Sequence, residues 1–569
     1  FVITSGSNLN ETFTVGGVPE NYTSRYAYYF NNNFPFNPSG NTVPLTITFN
    51  KFNPVSSIGW LDYLELNCQR QLRMVGSQMI FRDPTSVAAG QISEFVLDQA
   101  QSIDRIWETS DPTNVRYLEY TTDGAYKRFT VQTDSLREFI AFRNSDVPAP
   151  TPIGQVPAQN LHATPAPMDL VIVCPPQFQG AASRLAERRI SEGLNVIIVS
   201  PQQVYNEFSC GARDATAIKR YMRMLYDKAT TPEEMPRYLL LFGDGSYNNL
   251  SQAQGNQNFI PSYQTKESLI PAECYVSDDY FGLLDATEGE SEGNLVDIGI
   301  GRFPVSSTQM AEDVVNKILA YDQLKLLSLT GSACSETGEG GLADWRTHVL
   351  FTSDDQEGDR FEGVIHMSQC DALARRVESE YPQLNVEKVY LDAYQQISTP
   401  GGERYPQAAA ELRQKVEKGL LLVNYVGHGG EVGWAHERFL DNSTILDWRN
   451  GDRLPLFMTA TCEFTRWDDP GRTSAGEYVF LNPSGGGIAL MTTSRIAYSS
   501  QNNVLANEFF DHIFEPLEEL GRLQRLGDVY RETKGAFGSA GQYNHRNFVL
   551  VGDPSMRLAL PRGTINITS

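Results

Sequence analysis

Two residues in the second half of the sequence have types and settings suited to covalent chemistry. His428 lies in Asn424-Tyr425-Val426-Gly427-His428-Gly429-Gly430, and Cys462 in Met458-Thr459-Ala460-Thr461-Cys462-Glu463. Each follows a short apolar run, Leu420 to Val426 in the first case and Leu454 to Ala460 in the second. Such runs read as central strands of a parallel sheet covered on both faces. Ligands and catalysis in open α/β sheets gather outside the carboxyl ends of these strands. A thiol delivered there needs no strong base, because it loses its proton near pH 8.5. What remains is an acid for the leaving amine and donors for the oxyanion. His428 supplies the first, and the backbone N–H groups of Gly429 and Cys462 supply the second, since glycine lets a substrate come close. Alone, Gly-His-Gly reads as a tight turn and Cys462 as a small buried residue. On successive strands of one α/β unit, they read as a cysteine peptidase site.

A carboxylate that fixes the imidazole tautomer completes such a site. The strand His348–Thr352 ends in Ser353-Asp354-Asp355-Gln356-Glu357-Gly358-Asp359, on the same rim if the strand is parallel. The segment reads equally as a solvated acidic turn or a calcium loop. Ser277-Asp278-Asp279-Tyr280 and the stretch from Asp285 to Glu292 suit calcium or turns better than catalysis, with Asp278 and Asp279 as the candidate ligands.

The elements that must position these groups follow from patterning. Residues 1–145 read as an all-β sandwich: Leu45, Ile47 and Phe49 alternate with polar residues, as do Phe129 and Val131. Tyr26, Tyr28, Tyr29, Phe30, Phe34 and Phe36 are expected to pack in its core and turns. Residues 146–167 are proline-rich and read as a stiff linker. From there strands and helices alternate, giving two related α/β subdomains with mostly parallel sheets, at 168–330 and 331–562. The helix expected from Pro406 to Lys418 has Pro near its start, Leu412 and Val416 on one face, and Gly419 as its stop. Residues 563–569 read as the start of a truncated β domain, and a chain starting at Phe1 reads as a mature or trimmed product.

At 569 residues, with a net charge of −23, the chain has ample core and no basic patch for nucleic acid. No apolar run approaches the roughly 20 residues of a membrane span. The seven cysteines, Cys68, Cys174, Cys210, Cys274, Cys334, Cys370 and Cys462, show no CxxC pair, which argues against a zinc site. Their odd number leaves at least one thiol outside any internal bridge.

The sequence resembles the gingipain-type (C25) caspase-like cysteine peptidases over roughly 165–562. The resemblance rests on Asn424 to Gly429, Ala460-Thr461-Cys462, Ala489-Leu490-Met491-Thr492-Thr493-Ser494 and Val551-Gly552-Asp553-Pro554-Ser555. It implies a caspase-like fold with Cys462 as nucleophile, His428 as its partner, Asp355 as the histidine's acid and Gly429 in the oxyanion site. The position that carries a specificity aspartate in arginine-specific members falls on His366, which would not reward a basic side chain. The resemblance implies no cofactor for the chemistry, although calcium is common in the family.

The preceding β region, with Gly59-Trp60-Leu61-Asp62-Tyr63-Leu64-Glu65-Leu66-Asn67, resembles the sortase-like members that serve type IX secretion. This implies a bacterial surface protein, peripheral to the outer membrane and held by a β-barrel partner (PorV-like). It would remove the C-terminal sorting domains of secreted cargo and pass the cargo to a lipopolysaccharide amine. A secreted gingipain-like endopeptidase and an inactive assembly component are the alternatives.

Overall fold

The computed structural model describes the chain except residues 7–8, 22–23, 39, 41, 153, 251–254, 290, 292, 328–343, 356–361, 518–521, 538–542 and 561–569. The expectations for Gln356 to Asp359, Glu292, Cys334 and 563–569 therefore lie outside the described residues. The chain divides into two compact units: residues 1–13 with 34–158, and residues 14–33 with 159–569.

In the first unit, alternation builds two facing antiparallel sheets. One orders the strands Gln78–Arg82, Glu138–Phe142, Arg105–Glu108 and Arg116–Tyr117; the other orders Ile92–Leu97, Tyr126–Gln132 and Thr121–Asp123. Their inward residues, among them Phe95, Leu97, Ile106, Phe129 and Phe139, form a separate core. Phe95 stacks on Phe129 at 5.3 Å and meets Phe139 edge-on at 4.8 Å, geometries that add to area burial. A third small sheet joins Val2–Ser5, Leu9–Thr12 and Thr46–Thr48. Contrary to expectation, Tyr26, Tyr28, Tyr29 and Phe30 are not core residues. They face solvent, and their segment belongs to the second unit, where Tyr26 N–H donates to Leu269 O.

The second unit is built on one ten-stranded sheet. We number its strands in chain order: β1 Leu170–Val173, β2 Val196–Val199, β3 Tyr238–Phe242, β4 Gly299–Phe303, β5 His348–Ser353, β6 Asn385–Tyr390, β7 Leu422–Val426, β8 Leu456–Ala460, β9 Ala489–Thr493 and β10 Phe548–Val551. The spatial order is β2-β1-β3-β4-β10-β9-β8-β7-β5-β6. All neighbours are parallel except β9 and β10, so the sheet consists of two parallel blocks running in opposite directions. The two α/β halves thus share one sheet, joined where β10 returns from the end of the chain. Every residue of β1, β3, β7, β8 and β9 is buried, as continuous apolar runs covered on both faces require.

The helix Pro406–Lys418 buries Ala408, Leu412 and Val416, spaced four apart along one face. It stops at Gly419, whose φ of 101° lies in the left-handed region that glycine adopts without strain. That stop feeds the chain directly into β7.

Candidate active site

The register of β7 and β8 places the chemistry. Val426 pairs with Ala460 across this parallel ladder, and Gly427 N–H reaches Ala460 O at 3.4 Å. His428 and Cys462 each lie two residues further on, so they leave the sheet side by side at one carboxyl edge.

Three contacts fix the His428 loop. Its backbone N–H donates to Asp354 Oδ2 at 2.9 Å, and its carbonyl accepts from Tyr425 Oη at 2.6 Å. The Tyr425 ring stacks on Trp434 at 4.2 Å, in the hairpin that follows. Gly429 packs so tightly on the next strand end that a Cβ there would stand 2.5 Å from Thr461 Oγ1. A Cβ on Gly427 would stand 2.4 Å from Asp354 Cβ. The two glycines are therefore steric requirements of the approach between β5, β7 and β8. Ala435 N–H donates to His428 O at 3.0 Å, so the alternation of an antiparallel hairpin leaves the Gly429 N–H outside the ladder.

The thiol's two contacts are both with Ala497, just past β9: Sγ lies 3.6 Å from its carbonyl and accepts its N–H at 3.4 Å. Burial pushes the Cys462 thiol up; the Ala497 N–H opposes this and the Glu463 charge adds to it. Burial therefore disfavours the thiolate in the resting site. Glu463 has a φ of 48°, a left-handed conformation that costs a non-glycine residue about 1–3 kcal/mol and turns the chain sharply after the nucleophile. Its N–H donates to Arg495 O, and its carboxylate faces Arg466, which Glu431 holds at 2.7 Å. Among the described residues the cysteines are free thiols, Cys462 included.

The carboxylate facing His428 is Asp354. Because β5 is parallel to β7, its carboxyl end does reach the rim, and Asp354 bridges His428 N–H and Asp355 N–H. Asp355 turns aside: its Oδ2 accepts from Tyr405 Oη at 2.7 Å and Gln396 at 3.4 Å, and its buried Oδ1 has no partner among the described residues.

His366, expected in the specificity pocket, lies on the helix Glu362–Glu380 with its ring edge-on to His428 at 5.2 Å. Burial, with the neighbouring His428, pushes it down to about 4. His436 stacks on His428 at 5.4 Å. Three of the seven histidines thus meet here, a convergence the sequence signals only through the pair His428 and His436 flanking a Gly-rich hairpin. The roles of Ala497 and Glu463 carry no sequence signature.

Asp278 and Asp279, the calcium candidates, are engaged by protein cations. Arg302 holds Asp278 through two bonds of 2.7 and 2.8 Å, while Lys534 and Arg546 flank Asp279. Buried carboxylates paired in this way have their charge already matched. Arg302 also lies over the Trp467 ring at 4.0 Å, tying the first half of the sheet to the loop after Cys462.

The arrangement is similar to known peptidase folds. Gingipain R (RgpB), an Arg-specific cysteine proteinase, aligns at 16% identity and TM-score 0.51, covering 69% of this chain and 78% of that one. The complex of Porphyromonas gingivalis RgpB pro- and mature domains gives 16% and 0.50, covering 68% of this chain and 79% of that one. Dimeric latent PorU from Porphyromonas gingivalis gives 22% and 0.50, covering 86% of this chain; the chain spans 40% of that protein's length. At these identities the likeness is one of fold. No curated protein matches the sequence. Peptidase family C25, however, matches residues 163–559, most of the chain including both strand ends described above, and the protein therefore belongs to that family of cysteine peptidases.

Proposed function

We propose that Cys462 attacks a peptide carbonyl while His428 manages the proton, and that the resulting thioester is resolved by an amine, as in a sortase. The observation that carries the reading is the equal register of His428 and Cys462 beyond adjacent strands. As sulfur bonds to the carbonyl carbon, its proton passes to His428 and the carbonyl electrons move to oxygen, which faces the N–H groups of Gly429 and Cys462. The C–N bond then breaks, and His428 gives the proton to the leaving amine. An incoming amine next attacks the thioester, loses a proton to His428 and releases the thiol. Asp354 positions the histidine through its backbone N–H.

The likeness to PorU, which extends over 86% of the chain, supports the transfer reading. On that reading the substrates are secreted proteins bearing C-terminal sorting domains, the acceptor is lipopolysaccharide, and a PorV-like barrel holds the enzyme at the outer surface. No helix among the described residues is long and apolar enough to cross a membrane. A hydrolytic endopeptidase is the second reading, supported by the match to 78% of RgpB. Mass spectrometry of the product's new C-terminus, with a synthetic amine present, separates them. The transfer reading expects the amine adduct; only free carboxylate at saturating amine would leave the hydrolase.

A further inference from the structure

The His428 environment contains more ligand-bearing groups than acyl transfer requires. One nitrogen of His366, one nitrogen of His428 and one oxygen of Asp354 all lie within 4.8 Å of one another. Asp354 and His366 are buried, whereas His428 is half-exposed, so the group is open on the side where substrate would enter. Among the described residues His366 Nδ1 is buried with no hydrogen-bond partner, and its residue is only 7% exposed. An unmatched buried polar atom costs about 1–3 kcal/mol, so it calls for a reason. The peptidase chemistry supplies none, because His366 touches neither the thiol nor the oxyanion donors.

We infer that His366, His428 and Asp354 form a binding site for Zn²⁺ whose occupation switches the peptidase off. Two imidazoles and one carboxylate, with a fourth position left open, are a donor set that tetrahedral zinc takes. Ligand atoms around such an ion stand roughly 3.3 Å apart, given bonds of about 2.0–2.2 Å. Side-chain rotations that draw the three atoms together by about 1.5 Å or less would complete the site. The three donors come from different elements: Asp354 from the end of β5, His428 from the end of β7, and His366 from the helix Glu362–Glu380. The Asp354 backbone N–H donates to Val426 O, which anchors the first two to each other before any ion arrives. Each Asp354 carboxylate oxygen carries two lone pairs, and the His428 N–H occupies one on Oδ2. The fourth position would take water.

The consequence for activity rests on the proposed role of His428. A metal-bound ring nitrogen has no lone pair with which to receive the thiol's proton, so acylation stops without any change in fold. The site is thus a reversible inhibitory one, and removing the ion restores the enzyme.

The test uses the intact protein and reads binding separately from activity. Titration calorimetry with Zn²⁺, and visible absorption with Co²⁺ as the probe, are applied to the wild type, Cys462→Ala and His366→Phe, the last keeping an edge-on ring. His366→Gln serves if the phenylalanine variant fails to fold. Wild type and Cys462→Ala are expected to bind one ion alike, with a tetrahedral Co²⁺ spectrum. His366→Phe is expected to bind about 100-fold more weakly, at or beyond the upper end of losses seen on removing metal-orienting groups. Equal binding by His366→Phe would overturn the site, and so would loss of binding in Cys462→Ala, which would put the ion on the thiol. Binding with the expected pattern but without inhibition would support the site and sink the role of His428 in acyl transfer.

Discussion

Replacing Asp354 by asparagine separates the two candidate acids by geometry. Asp354 is fully buried, and both of its oxygens are in use: Oδ2 accepts from His428 N–H at 2.9 Å and Oδ1 from Asp355 N–H at 3.1 Å. Asparagine keeps one acceptor and sets an NH₂ donor against the other N–H, whichever way the amide is turned. A hydrogen bond to a charged group is worth about 1.5–3 kcal/mol. If that loss appears as displacement of the His428 loop, acylation slows by about 10- to 100-fold, at roughly 1.4 kcal/mol per factor of ten. Asp355→Asn is a different case. Its Oδ1 has no partner among the described residues and its Oδ2 faces the Tyr405 hydroxyl, so asparagine can present its oxygen to Tyr405 and its NH₂ to the other side. That variant is expected to retain acylation within about threefold, since neutral hydrogen bonds contribute about 0.5–1.5 kcal/mol and this one can be kept. The assay is single-turnover acylation by rapid acid quench on a cleavable peptide, with thermal midpoints showing that both variants fold. Greater slowing in Asp355→Asn than in Asp354→Asn would refute this reading and return the orienting role to Asp355.

Alkylation of Cys462 by iodoacetamide should reach half its maximal rate at a pH above the roughly 8.5 of an exposed cysteine, because burial raises the thiol. A plateau already reached at neutral pH would contradict the raised thiol. Gly429→Ala should lower acylation by on the order of 100-fold, since its Cβ would stand 2.5 Å from Thr461 Oγ1 and must push the His428 loop aside. The double variant with Thr461→Ala should recover much of the loss, and no recovery would mean the clash is not the cause. His366 is held near 4 in the folded chain against about 6.5 unfolded, so the unfolded chain binds more protons between these values. The stability this contributes is present above about 6.5 and lost as pH falls through 4. In EDTA, His366→Phe should spare up to about 3 kcal/mol of that loss. Parallel denaturation profiles of the two proteins would contradict it.

Much of this site could be read directly from residue order. The fully apolar runs before His428 and Cys462 can only be satisfied by burial on both faces, and that already implies a parallel sheet with its chemistry at the carboxyl edge. The helix Pro406–Lys418 carries its own start, face and stop. Long-range choices were not legible. Nothing in Phe548–Val551 announces that it returns antiparallel to β9 and fuses the two halves into one sheet. Asp354 and Asp355 are neighbours of identical type, and only the strand pleat decides which one faces His428. His366 is 62 positions from His428 and meets it through helix packing that no local pattern encodes. The aromatic run from Tyr26 to Phe30 has the composition of a core but stays at the surface, because β-propensity reports fit to a pleat rather than the presence of a partner.

The central claim, that Cys462 carries the acyl group, is tested most directly by trapping the covalent intermediate. Acid quench during turnover, proteolysis and mass mapping should find the acyl adduct on the peptide containing Cys462, and Cys462→Ala should yield neither adduct nor cleavage. An adduct on another residue, or cleavage that persists in Cys462→Ala, would contradict the account.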